Sequence, residues 1–268
     1  MPMPERLTLF FDISGRVTEE TAADSYFTVG AILMPTLKEN EIRKTLSREI
    51  PKWKNASPQS LTIIQTILLD RDVQSVVLRI EKSQPAWDRF WNAGRAEHRK
   101  LTAFTNAKNG FARPGTVIKY AAFGKCAAIG LAEKIKRDGI PRLVNQFGIG
   151  VLQLRIILDT DIQGNDNQDT FRHMWNAWAT STNLPKSLCV APKLELVDFR
   201  TEQDDPALLL PDYLAGWAYF CASEGKCTIS SDRNQVSINA FSENLRASAN
   251  VVEITWPFDE EFPDLTTV

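Results

Sequence analysis

The chain is 268 residues long with 43% hydrophobic and 24% charged content, and its 31 Lys and Arg against 33 Asp and Glu leave a formal net charge of −2. That length buries a sizeable core without staples, and the near balance of charge excludes a domain drawn as a whole onto polyanions. No apolar run approaches the roughly 20 residues a membrane-spanning helix requires, so a soluble chain without membrane attachment is expected.

The amino-terminal stretch MPMPERLTLFFD, interrupted by Glu5 and Asp12, does not read as a secretory signal. Cys126, Cys189, Cys221 and Cys227 are scattered; Cys221 and Cys227 lack a second pair, and His98 and His173 stand far apart, so a zinc knuckle is not expected from them. The cysteines read as reduced thiols of a cytoplasmic protein. Short basic clusters at Arg95, His98, Arg99 and Lys100, and at Lys134, Lys136 and Arg137, read as solvated helix faces, which confines any nucleic-acid contact to a local surface.

In chain order, Leu7 to Phe11 predicts a buried strand closed by the turn-forming Asp-Ile-Ser-Gly at 12 to 15. Tyr26 to Met34 predicts a second strand, near enough to pair with the first as a hairpin and stopped by Pro35. Helical spacing follows over Leu37 to Glu49, with Leu37, Ile42, Leu46 and Ile50 on the apolar side, and over Pro58 to Leu69, where Pro58 suits a first-turn position. Val73 to Ile80 is a third strand. Residues 84 to 115 read as an insertion anchored by Trp87, Phe90, Trp91, Phe104 and Phe111.

Val117, Ala121, Phe123, Cys126, Ile129, Ala132 and Ile135 recur at helical intervals and predict a long core helix over Thr116 to Arg137. Val151 to Leu158 is an apolar strand that ends on Asp159-Thr-Asp161; residues 166 to 180 predict a helix with Phe171, Met174, Trp175 and Trp178 on one face. Leu188 to Phe199 reads as a fifth strand region, kinked near Pro192. Asp204-Asp205-Pro206 then introduces a helix over Leu208 to Phe220, with Pro211 in its first position and Asp212 in its first turn, and Val251 to Trp256 is a final strand before the acidic tail of Asp259, Glu260 and Glu261. The whole predicts a single α/β domain over 1 to 268, with a mixed sheet of about five strands flanked by helices and with insertions after the second and third strands.

Carboxylates emerge at defined places in this pattern: Asp12 after the first strand, Asp159 after the fourth, Asp212 in the first turn of the last long helix. In open α/β sheets functional groups gather outside the carboxyl ends of strands, so neighbouring first and fourth strands bring Asp12 and Asp159 together. Clustered carboxylates raise one another's pKa unless a cation neutralises them, and the hard divalent cations Mg²⁺ or Mn²⁺ suit oxygen ligands. Two such ions about 4 Å apart hold the attacking water and the leaving oxygen of a phosphodiester in line.

Phe10-Phe-Asp-Ile-Ser-Gly15, Ile156-Ile-Leu-Asp159 and Leu208-Leu-Leu-Pro-Asp-Tyr-Leu-Ala-Gly216 resemble, in order and spacing, the signature segments of the bacterial and phage family known as domain of unknown function 3800. That family is ribonuclease H-like in fold and shows Asp-Glu-Ser-Gly first, a strand-end Asp next, and Leu-Gln-x-Ala-Asp-Leu-x-Ala-Gly last. The resemblance implies Asp12, Asp159 and Asp212 as catalytic metal ligands of a nuclease acting on RNA or DNA. Ile13 stands where the family has Glu, and Leu209 and Pro211 where it has Gln and Ala. A fourth carboxylate is expected; Asp161, as a further metal ligand, is the nearest, with Glu81 behind it.

Other readings attach to the same residues. Asp159-Thr-Asp161 after an apolar strand also resembles the start of a haloacid-dehalogenase-type phosphatase site, but Gln163 stands where Thr or Val is expected. The same Asp-x-Asp is a pattern that holds Mn²⁺ under a nucleotide sugar, and Ser14-Gly15 is a short phosphate-turn pattern without a glycine-rich partner. The alternative from another class is a catalytically inactive ribonuclease H-like module that binds nucleic acid or a protein partner.

Overall fold

A computed structural model describes residues 6–19, 25–46, 49–82, 86–105, 114–138, 151–160, 191–223 and 235–255. Strand β1 spans Arg6–Ser14 and β2 spans Tyr26–Pro35; α1 is Thr36–Thr45, α2 Pro58–Leu68, β3 Gln74–Glu81, α3 Ala86–Thr105 and α4 Pro114–Asp138. Then come β4 at Val151–Asp159, β5 at Ala191–Arg200, α5 at Leu209–Ala222, α6 at Gln235–Ala247 and β6 at Val251–Thr255, with short 3-10 turns at Trp53–Asn55 and Pro206–Leu208. The strands form one mixed six-stranded sheet in the order β5-β4-β1-β2-β3-β6. β2 runs antiparallel to both of its neighbours, while β1 with β4, β4 with β5 and β3 with β6 are parallel. Among the described residues no helix is long and apolar enough to cross a membrane.

The period of two along β1 sorts its side chains between two cores. Leu7, Leu9 and Phe11 join Val117, Ala121, Phe123 and Cys126 of α4 on one face. Phe10 joins Ile32, Met34 and Ile157 with Leu210, Leu214 and Trp217 of α5 on the other. Trp87, Phe90 and Trp91 of α3 are buried in the first core, as the anchoring role predicted for the 84 to 115 insertion requires. The second core also takes α2, whose start is fixed by a reciprocal cap in which Ser57 and Ser60 each bond the other's backbone N–H, with Pro58 in the first turn.

Several predicted boundaries move. The strand predicted to close at Phe11 continues through Ser14, because pairing with β2 extends to Ser14↔Thr28 although pairing with β4 stops at Phe11↔Leu158. Leu37, predicted on the apolar face of α1, is 86% exposed; it precedes the point at which α1 meets the core through Ile42. The irregularity in β5 falls at Glu195, which the register skips, and not at Pro192, which the edge strand accommodates. Helix α6 carries Ile238, Phe241 and Leu245 on its buried side, a spacing that predicts the helix although the sequence reading leaves it unassigned. The helix predicted at 166 to 180, with His173, Trp175 and Trp178, and the acidic tail lie outside the described residues.

Candidate active site

The site grows out of the ends of two parallel neighbours. β1 and β4 pair up to Phe11↔Leu158, so Asp12 and Asp159 are the next residues on adjacent strands, and Asp159 is the last residue of β4. Asp12 is therefore inside β1 and not beyond it, yet it sits where the β4 side of that strand becomes free. Asp12 belongs to the face of Phe10, and Asp159 to the face of Ile157; both lie on the α5 side.

Helix α5 delivers Asp212 to the same place because a glycine lets it approach. Gly30 is the β2 partner of Asp12, and a Cβ there would stand 2.3 Å from the Pro211 carbonyl oxygen and 2.8 Å from the Ala215 nitrogen. Only a residue without a side chain admits the backbone of α5 this close. Thr28 fastens the next turn by donating its hydroxyl to the Ala215 carbonyl at 2.8 Å. Asp212 keeps its predicted first-turn position, although the helix begins at Leu209 and Pro211 stands two residues inside it.

A fourth carboxylate is Glu202, which the sequence reading did not find. It follows β5, the parallel neighbour of β4, whose last residue Arg200 pairs with Asp159. A compact turn holds it: the Thr201 hydroxyl donates to the Asp204 carboxylate at 2.7 Å, and the Asp204 and Asp205 amides both return to the Thr201 carbonyl. The rule that carboxyl ends of parallel strands carry function applies to β5 as much as to β4, and was the available signal. Asp161 lies outside the described residues. Glu81 is exposed at the end of β3, opposite Tyr26, with β2 between it and β1, so it does not belong to this cluster.

These groups act on one another. Burial, then the charges of Asp212, Asp159 and Glu202, raise the Asp12 pKa well above the usual carboxylate value, against a hydrogen bond of 2.7 Å from the Ile13 amide. Asp212 is pushed up to about 6, by burial first and then by Glu202 and Asp159, although the Trp53 amide donates to it at 2.7 Å and Lys52 opposes the rise. Glu202 goes the other way. Burial favours its neutral form, but Lys52, a backbone N–H and a side-chain bond to Asp159 outweigh that and lower its pKa. The Lys52 ammonium contacts the Glu202 carboxylate and lies 3.9 Å from Asp159.

Lys52 is carried on a bend gripped by α5. Tyr213 donates its hydroxyl to the Pro51 carbonyl at 2.9 Å, Asp212 takes the Trp53 amide, and the Trp53 ring stands edge-on to Tyr213 at 5.7 Å. A Cβ on Gly216 would fall 2.1 Å from the Trp53 ring, so this helix position must be glycine for the bend to seat. Among the described residues no three Asp, Glu, His or Cys side chains are already drawn together as a metal cage. The donor set is nonetheless made of hard oxygens, with a mutual repulsion that a divalent cation relieves, so its chemistry fits Mg²⁺ or Mn²⁺.

Ile13, at the position where the resembled family has Glu, is partly buried against the α4-side core. It faces away from Asp12, so a carboxylate at position 13 of this strand would not join the cluster. Of the basic clusters, Arg95 pairs with Glu19 and Lys100 with Glu97, while Arg137 bonds Gln74 and Asn250 and ties α4 to the sheet edge. Compared with known proteins, the chain matches no protein-family model and no curated protein.

Proposed function

We propose that this chain is a ribonuclease H-like, metal-dependent nuclease that hydrolyses phosphodiester bonds in nucleic acid. The observation that carries the reading is the convergence of Asp12, Asp159, Asp212 and Glu202 at the carboxyl ends of β1, β4 and β5, at the expense of raised Asp12 and Asp212 pKa values. A fold does not gather uncompensated carboxylates for stability; such perturbation clusters where chemistry needs it. The sheet order, with β2 the antiparallel member among the described strands, supports the ribonuclease H-like assignment, as does the resemblance of the segments around Asp12, Asp159 and Asp212.

Asp12, Asp159 and Asp212, with Glu202, would hold Mg²⁺ or Mn²⁺, which when bound supplies positive charge beside the scissile phosphate and acidifies a water molecule. The chain's own contribution is to fix the ligands. The Ile13 and Trp53 amides each orient one carboxylate, and the Thr201–Asp205 turn sets Glu202. Asp12 and Asp159, both nearly buried, hold the floor of the site away from bulk water.

The test is cleavage of single-stranded RNA, single-stranded DNA and an RNA–DNA hybrid in Mn²⁺, wild type against Asp12→Asn. Wild type cleaves at least one of these, and the substitution lowers the rate by about a thousand-fold or more, the scale of losing an electrostatic group from a reaction centre. Cleavage that survives Asp12→Asn, or a wild type inert toward all of them, rejects the proposal.

A further inference from the structure

Lys52 is the one residue of this site whose chemistry opposes the rest of it. Its ammonium touches Glu202 and stands 3.9 Å from Asp159, while its side chain remains 40% exposed. It is no free-swinging surface lysine, because its backbone neighbours on both sides are bonded to α5: Pro51 to the Tyr213 hydroxyl and Trp53 to the Asp212 carboxylate. The Tyr213 hydroxyl oxygen also accepts from the Ser60 hydroxyl at 2.8 Å, which extends the grip to the start of α2. The bend therefore aims the stem at the carboxylates, and the exposed side of the chain leaves room for the ammonium to withdraw.

We infer that Lys52 is a built-in counter-ion of the carboxylate centre, which competes with a divalent cation for Glu202 and Asp159. This rests on the reading that those carboxylates hold a cation. An ammonium is a compact point charge with rotatable donors on a flexible stem, so it occupies a ligand set without fixing its geometry and yields to an ion of higher charge. A divalent cation entering the site meets Glu202 and Asp159 already engaged, and must displace Lys52 from them.

The experiment is Mn²⁺ titration, followed by the electron paramagnetic resonance of free Mn²⁺, on wild type, Lys52→Gln and Lys52→Arg. Lys52→Gln removes the competing charge at similar length and binds Mn²⁺ about ten-fold tighter or more, because an opposing charge beside the ligands is gone; Lys52→Arg stays near wild type. Binding by Lys52→Gln with none by wild type also supports the inference, as the case of a lysine that excludes the ion. Equal or weaker binding by Lys52→Gln overturns it while leaving the cation site intact. Binding by none of the three overturns both this inference and the metal-dependent reading beneath it.

Should Lys52→Gln not fold without metal, the same competition is read in the wild-type chain from the lysine's side. Acetic anhydride labelling of Lys52, quantified by mass spectrometry, then rises several-fold on adding Mn²⁺, as the ammonium leaves its carboxylates. Labelling that Mn²⁺ leaves unchanged overturns the inference.

Discussion

Two charged regions share the α5 face of the sheet, about 13 Å apart along β1 from Thr8 to Asp12, and they differ in how their charges are matched. In the first, Glu39 contacts Thr8 and lies 2.8 Å from Arg43 and 3.1 Å from Arg155, while Asp205 takes the Arg43 guanidinium at 2.5 and 2.8 Å and Arg200 at 3.1 Å. Glu39 and Asp205 are essentially buried, yet each faces two guanidinium groups, and Arg200 also pairs with Asp198 at 2.7 Å. In the second, Asp159, Asp212 and Glu202 face Lys52, with Asp12 beside them. A matched buried network holds elements together, because each charge removed from water recovers its loss in planar, multiply bonded pairs. An unmatched one stores repulsion that a bound proton or a cation relieves. The first region also serves the second: Asp205, fixed by Arg43 and Arg200, ends the turn that presents Glu202.

The comparison breaks most severely at Asp205. Asp205→Ala takes from Arg43 and Arg200, both half-buried, one of their two carboxylate partners, removes the bond of 3.2 Å to the Ala207 amide, and loosens the Glu202 turn. Hydrogen bonds to charged groups contribute about 1.5–3 kcal/mol, so a loss of about 3 kcal/mol is expected, visible as a lower midpoint in urea unfolding. A change below about 1 kcal/mol would mean that the matched network is ornamental.

At the unmatched region the sign reverses. The Asp212 carboxyl titrates at about 6 in the fold against 3.8 ordinarily, so the folded chain holds this proton more tightly than the unfolded one. Its contribution to stability is fully present below about pH 4 and is lost as pH rises through about 6, a loss of up to about 3 kcal/mol at 1.36 kcal/mol per unit. Asp212→Asn keeps an oxygen for the Trp53 amide and sheds the repelled charge, so it stabilises the chain by about 1–3 kcal/mol at pH 7 and by little at pH 4. Unfolding curves at the two pH values check this; a destabilised variant at pH 7 would remove the claim of stored repulsion.

How much of this was legible beforehand follows from what fixes each residue. Asp12, Asp159 and Asp212 sit at the ends or starts of regular elements, which apolar runs and a Pro-marked helix onset reveal, and the strands fell where those runs predicted them. Glu202 and Lys52 lie on turns with no period, positioned by partners remote in sequence: Pro51 by Tyr213, Trp53 by Asp212, and Asp205 by Arg43. Such contacts leave no trace in a window of neighbouring residues. Gly30 was equally silent, since a glycine inside a β-prone run announces its use only once the element lying against it is known.

The smallest expected effect supplies the control for the whole comparison. Lys38 stands among carboxylates much as Lys52 does, 2.9 Å from Asp70, 3.5 Å from Asp72 and 3.8 Å from Glu41. Water reaches this group: Glu41 is exposed and Asp72 half-buried, and the Asp70 pKa ends lowered, because hydrogen bonds from the Asp72 amide and Lys38 outweigh the effect of its burial. Solvent screens such a cluster, so Lys38→Met costs less than about 1 kcal/mol, and less again in high salt. The composition resembles that of the Asp12 cluster, one lysine among several acids, and only desolvation differs. If Lys38→Met proved as costly as Asp205→Ala, the count of charges and not their burial would govern both regions, and the distinction between a matched buried network and a poised one would lose its physical basis.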